Sequence, residues 1–127
     1  VSRLLLDSHV LVWWLGDSRD LGPTTRTAIT EAESVFISAV TPWELGIKAA
    51  LGRLDLPGDL LGILAEEGFE ALTISLEHGA RAAALPWHHR DPFDRMLIAQ
   101  AVAEDLVLVT ADAQLTAYDV RLLPARD

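Results

Sequence analysis

The chain has no cysteine, which removes disulfides, zinc–thiolate sites and thiol nucleophiles together. It has a single lysine, Lys48, and little basic charge of any kind: 10 Lys and Arg stand against 19 Asp and Glu, a formal net charge of −9. That balance excludes a nucleic-acid binder working through a broad basic surface. If a polyanion is the ligand, metal ions and a local arginine cluster must offset the repulsion; arginine suits that task because its planar fork contacts phosphate bidentately. No apolar run reaches the length of about 18 residues that a membrane span needs. The opening VSRLLLDSHVLVWWLGD has the hydrophobicity of a secretory signal, but Asp7 and His9 interrupt it and no small-residue cleavage site follows. The expectation is a cytoplasmic chain with no membrane association. The four histidines lack HExxH spacing, which argues against a zinc hydrolase of that type.

What is present is apolar and patterned. The 127 residues are 50% hydrophobic, enough for one domain over 1–127 with a full core. Short apolar runs suited to buried parallel strands occur at 3–6, 35–38, 71–74, 106–110 and 120–123. Helical stretches lie between them at 8–15, 24–33, 42–51, 58–67, 76–84 and 93–104, with a short one near 113–117. Pro23, Pro42, Pro57 and Pro92 stand where first-turn prolines are favoured. Strands alternating with helices predict an α/β fold, a parallel sheet covered on both faces. In such sheets ligands gather outside the carboxyl ends of the strands.

That rule singles out the acids. Asp7 follows the first predicted strand, Asp112 comes two residues after the fourth, and Glu44 lies early in the helix after the second. Asp94 joins them if its helix starts at the same edge. Two segments share a grammar: Thr41-Pro42-Trp43-Glu44 and Asp91-Pro92-Phe93-Asp94 each read cap, proline, aromatic, carboxylate. Thr41 and Asp91 suit the N-cap, and Glu44 and Asp94 the third helical position, as in a capping box. Taken singly, each segment is explained by capping. Asp7 or Ser8 could cap the helix at 8–15, and Asp112 the short one after it. Together, four ionised carboxylates at one sheet edge repel each other and raise one another's pKa values unless a cation intervenes. Hard divalent ions, Mg²⁺ or Mn²⁺, bind such oxygen ligands and can activate water and stabilise charge on a phosphoryl group.

The set LLLDSHVLVWW, SAVTPWELGIKAALGRL, LPWHHRDPFDRMLIAQA and LVTADAQL resembles the PIN-domain ribonucleases, specifically the VapC-type toxins of bacterial type II toxin–antitoxin modules. The resemblance runs over nearly the whole chain, in order. It implies a three-layer α/β/α sandwich around a five-stranded parallel sheet, and an endoribonuclease that hydrolyses RNA phosphodiester bonds with Mg²⁺ or Mn²⁺. It places the family's acidic quartet, both catalytic and metal-binding, on Asp7, Glu44, Asp94 and Asp112. It also implies a VapB-type antitoxin as partner and a homodimer, or a higher hetero-oligomer with the antitoxin.

Other residues carry paired readings. Arg95 binds scissile phosphate or holds a site carboxylate, with a surface ion pair as the alternative. His88, His89 and Arg90 touch RNA phosphates from a loop, or stabilise that loop. Asp91 is read as the cap, while Ser8 and Thr110 hydrogen-bond site carboxylates or cap their own elements. His9 is read as a packed histidine, and Lys48 as an ion pair with Glu44 four residues earlier. Trp13, Trp14, Trp43, Ile47, Leu51, Leu54 and Leu56 are expected in the core. The helix at 8–15, apolar nearly all round, is expected to pack on something besides the sheet. Two other functions fit less well. A catalytically silent PIN-like binding module would not need the quartet. A phosphotransfer domain centred on Asp7 lacks the acidic pair and late lysine of receivers, and DSH lacks the second Asp of haloacid-dehalogenase phosphatases.

Overall fold

A computed structural model describes residues 2–126. Five strands are laid down in it: β1 (Arg3–Leu6), β2 (Ser34–Ser38), β3 (Glu70–Leu72), β4 (Val107–Thr110) and β5 (Leu122–Pro124). They pair in the order β3-β2-β1-β4-β5, all parallel. Six α-helices intervene: α1 (Ser8–Leu15), α2 (Pro23–Glu31), α3 (Val40–Ala50), α4 (Leu60–Glu66), α5 (Leu76–Ala84) and α6 (Pro92–Glu104). A 3₁₀ turn at Ala113–Ala117 precedes β5.

Side chains alternate along a strand, and this divides the interior. Leu4 and Leu6 of β1 enter one core while Leu5 enters the other, and Val109 and Leu108 of β4 separate in the same way. The first core takes Val10 and Leu11 of α1, Ile29 of α2 and Leu64 of α4. The second takes Leu97, Ile98 and Ala101 of α6, on which α5 packs. Helix α3 bridges the two, with Leu45 in the first core and Val40 in the second. The result is the expected three-layer α/β/α sandwich. Leu5, Leu6, Leu97 and Leu108 are fully buried, and each such side chain contributes about 1.5–3 kcal/mol of transfer free energy.

Helix starts follow their caps. Asp7 accepts from Val10 N–H at 2.8 Å to begin α1. Asp91 accepts from Phe93 and Asp94 N–H at 2.8 and 3.3 Å to begin α6, with Pro92 in its first turn. Two expectations fail. Helix α3 begins at Val40, because Ser38 Oγ, at the end of β2, accepts from Val40 N–H at 3.1 Å. Thr41 is therefore inside the helix, its hydroxyl buried without a partner, and Thr41-Pro42-Trp43-Glu44 is no capping box. Pro57 stands outside α4, which Asp59 caps through Gly62 N–H. Among the described residues no helix is long and apolar enough to cross a membrane.

Candidate active site

Strand β1 is flanked by β2 and β4, so the chain builds outward to β3 on one side and then returns to the other. The carboxyl ends of β1 and β4 therefore frame a topological switch point, where a crevice opens in sheets of this kind. Asp7 leaves β1 at that point, its N–H donating to Val109 O of β4 at 3.1 Å. Asp112 follows β4, and Asp94 arrives from the first turn of α6. The three line one cleft of about 300 Å³.

Burial and mutual repulsion set its electrostatics. Asp7 is 5% exposed; burial raises its pKa, with hydrogen bonds from Thr110 and the Val10 N–H opposing the rise. Asp94 is pushed up to about 7, by burial first and then by the charges of Asp91, Asp7 and Glu44, with His89 pulling the other way. Glu44 stands behind the cleft. Its Oε1 accepts from Ser8 Oγ at 2.5 Å and its Oε2 pairs with Lys48 at 3.1 Å. Ser8 and Thr110 thus contact site carboxylates, and Lys48 makes the expected ion pair.

The donor set fits a hard divalent cation. Carboxylate oxygens converge in the cleft, and burial together with the neighbouring acids raises Asp94, a repulsion that a cation would relieve. His89 Nε2 lies 3.1 Å from both Asp94 Oδ2 and Asp112 Oδ2, and these three groups are close enough together to share an ion. Because Asp91 N–H points at His89 Nδ1, at 3.3 Å, the ring hydrogen belongs on Nε2. In this arrangement His89 is a donor bridging two carboxylates.

The family model for the PIN domain matches residues 4–121. The chain belongs to the PIN-domain family. It is 31% identical over 121 residues to Ribonuclease VapC22 of Mycobacterium tuberculosis, covering 93% of each chain. Its fold matches VapBC2 from Rickettsia felis bound to a promoter DNA fragment, with a TM-score of 0.71 at 14% identity over 96% of this chain and 98% of that one. A toxin–antitoxin complex from Klebsiella pneumoniae gives 0.68 at 18% identity, covering 94% and 95%.

Other residues of this PIN domain depart from the sequence reading. Arg95 is 4% exposed, and its guanidinium is engaged inside the protein instead of reaching for phosphate. It donates to Ala82 O at 2.8 Å, Leu85 O at 3.0 Å, Pro86 O at 2.9 Å and His89 O at 3.3 Å. Trp87 covers it, its ring centroid 3.8 Å away. Arg95 therefore organises the loop that carries His89. Arg90 is exposed on that loop. His88 packs edge-on against Tyr118, whose hydroxyl accepts from His89 N–H at 2.9 Å. His9 is exposed, not packed inside, and lines the cleft with Trp13 and Arg126. Sequence reasoning gave His9 and Trp13 packing roles and did not single out Arg126. The spacing of His9 and Trp13, one helical turn apart on the helix that Asp7 caps, was a usable signal; nothing local marked Arg126. Trp43, Ile47 and Leu51, expected in the core, form an exposed ridge along α3. Leu54, Leu56, Trp13 and Trp14 are partly buried against the first core.

Proposed function

We propose that residues 1–127 form a single PIN domain acting as a metal-dependent endoribonuclease, the toxin of a VapBC-type toxin–antitoxin pair. The observation that carries this is the convergence of Asp7, Asp94 and Asp112 on one cleft at the β1/β4 switch point, in a chain alike over its length to a curated ribonuclease. Asp7, Asp94 and Asp112 would hold Mg²⁺ or Mn²⁺, with Glu44 as the fourth acid, released from or acting through its contacts to Ser8 and Lys48. Such an ion, when bound, lowers the pKa of water and offsets charge on a phosphoryl group.

The chain's own residues prepare that chemistry. Asp7 is oriented by Val10 N–H and Thr110. Asp94 is aimed into the cleft from the third position of α6, and Asp91 fixes that first turn. His89 holds Asp94 and Asp112 together through its Nε2 hydrogen. Where a carboxylate of this set stays outside direct coordination, it can accept the proton of the attacking water. Arg90 and His89 stand on the rim loop, where incoming phosphate would pass.

A partner fits the surface. Trp43 is 65% and Leu51 62% exposed on the α3 ridge. Beside it an apolar groove of about 460 Å³ runs between α3, α4 and the edge strand β3, lined by Pro42, Leu61, Leu64 and Phe69. Apolar surface of this kind supports a VapB-type antitoxin or a second copy as partner. The deciding experiment incubates purified protein with total RNA, in Mg²⁺ or EDTA, and maps the cleaved ends. Cleavage in Mg²⁺ that is lost in EDTA and in Asp94→Asn is expected. Equal cleavage by Asp94→Asn, in a preparation free of other nucleases, refutes the site.

A further inference from the structure

The acidic cleft has a second wall whose chemistry is opposite to its floor. His9 and Trp13 lie one turn apart on α1, with ring centroids 6.3 Å apart at 51°. The Arg126 guanidinium carbon lies 4.9 Å from the Trp13 ring centroid. All three line the cleft that contains Asp7, Asp94 and Asp112, and they are drawn from the first helix and from the segment after β5. Two other basic groups near the site are committed, while Arg90 is exposed on the neighbouring loop and does not line this cleft. Lys48 is paired with Glu44, and Arg95 is buried against backbone carbonyls. Of the residues lining this cleft, His9 and Arg126 are the ones whose side chains can carry positive charge toward an anion.

We propose that His9, Trp13 and Arg126 form a nucleotide subsite for single-stranded RNA, holding the nucleotide next to the phosphate that is cut; this rests on the ribonuclease reading. The Arg126 fork and the His9 imidazole N–H take the phosphate of that nucleotide. The indole with the guanidinium stacked on it is the platform for its base. Three physical points converge here. A chain of charge −9 whose cleft floor is carboxylate must place its phosphate contacts on the wall, close to the ion that neutralises the floor. An indole and a guanidinium plane both stack on bases without regard to sequence. Arg126 is also accessible: its side chain is 62% exposed, and among the described residues its ion pair, to the similarly exposed Asp20, is long at 3.7 Å. Such a surface pair costs little to break.

The test measures binding of a 2′-O-methyl oligoribonucleotide, which resists cleavage, to the full chain in Mg²⁺ by fluorescence anisotropy. Arg126→Ala and His9→Ala should each weaken binding about five- to tenfold. Arg126→Ala should also lower the slope of log Kd against log salt by about 0.7, the value for one lost phosphate contact on a single strand. Arg126→Lys should restore that slope while leaving part of the affinity missing, because an ammonium does not stack. Trp13 packs against the core, so Trp13→Leu is judged with circular dichroism and with a probe carrying one abasic nucleotide. The abasic probe should bind wild type about tenfold more weakly and lose nothing further with Trp13→Leu. Wild-type affinity and salt slope in Arg126→Ala and His9→Ala, alongside intact Mg²⁺-dependent cleavage, would overturn the subsite and leave the ribonuclease standing. Absence of both cleavage and binding in the wild type would overturn both.

Discussion

Asp94→Asn should make the metal-free protein more stable at pH 8, although it removes a helix-capping charge. The carboxyl is raised from 3.8 to about 7 by burial and by Asp91, Asp7 and Glu44. A raised acid favours the folded state while protonated. Its contribution is full below pH 3.8 and is lost as pH climbs through about 7. At about 1.4 kcal/mol per pH unit, ionising it in the fold costs about 4 kcal/mol at most. Asp94 is 20% exposed, and solvent screening together with the His89 contact brings this nearer about 2 kcal/mol. Losing the carboxylate at the start of α6 gives back about 0.5 kcal/mol. The net gain of about 1.5 kcal/mol corresponds to a rise in Tm of about 6 °C for a domain of this size. The assay is thermal unfolding in EDTA from pH 4.5 to 8.5, repeated with Mn²⁺. Wild type should lose clearly more stability across that window than Asp94→Asn, which keeps only the loss from buried Asp7, the two curves closing toward pH 4.5. With Mn²⁺ the order should reverse, since only wild type gains fully from binding. Parallel pH profiles, or an Asp94→Asn protein less stable than wild type at pH 8 in EDTA, would refute the view of Asp94 as a charge that needs a cation.

Asp91→Asn should keep the α6 cap and change stability by under about 0.5 kcal/mol, whereas Asp91→Ala should cost about 1 kcal/mol. Because the Asp91 charge helps raise Asp94, either change should move the pH dependence of metal-free stability to lower pH, and an unmoved profile would contradict the coupling. Arg95→Ala should cost at least about 3 kcal/mol in urea unfolding, because it strands the carbonyls of Ala82, Leu85 and Pro86 that the buried guanidinium satisfies; a surface-like loss under about 0.5 kcal/mol would show that the loop does not depend on it. Trp43→Ser with Leu51→Ser should leave unfolding within about 1 kcal/mol of wild type and shift the assembly toward monomer in light scattering, and an unchanged mass would remove the α3 ridge from the self-association surface.

Much of this architecture was legible because its signals are local. The strand at Arg3–Leu6 and the helix at Ser8–Leu15 fall where the apolar runs and the Asp7 cap place them. Asp91-Pro92-Phe93-Asp94 reads as cap and first turn and behaves as such. Its near twin at Thr41 does not. Nothing in that string reveals that Ser38, three residues upstream and at the end of β2, captures the helix start first. Exposure was harder still. Hydrophobicity alone sent Trp43 and Leu51 inward, yet a surface kept for a partner has the composition of a core. Arg95 is the reverse case. An arginine beside two catalytic-looking acids invites a phosphate, and only the turn of the chain at 82–89 shows that backbone carbonyls reach it first. Arg126 is distant in sequence from everything it lies beside, so only the three-dimensional path of β5 brings it to Trp13.

The sheet order has a consequence for how such a chain can be made. Leu4 pairs with Val107 and Leu6 with Val109, so β1 stays open on one edge until β4 has been synthesised. Asp7 and Asp94 alone do not make the cleft; Asp112 reaches it only after β4 has docked beside β1. Contacts this distant in sequence form late and slowly. A growing chain therefore carries Asp7 and Asp94 without an assembled cleft until β4 is made. The cleft is thus completed late in the folding of this domain, when the surface a partner would meet has largely formed.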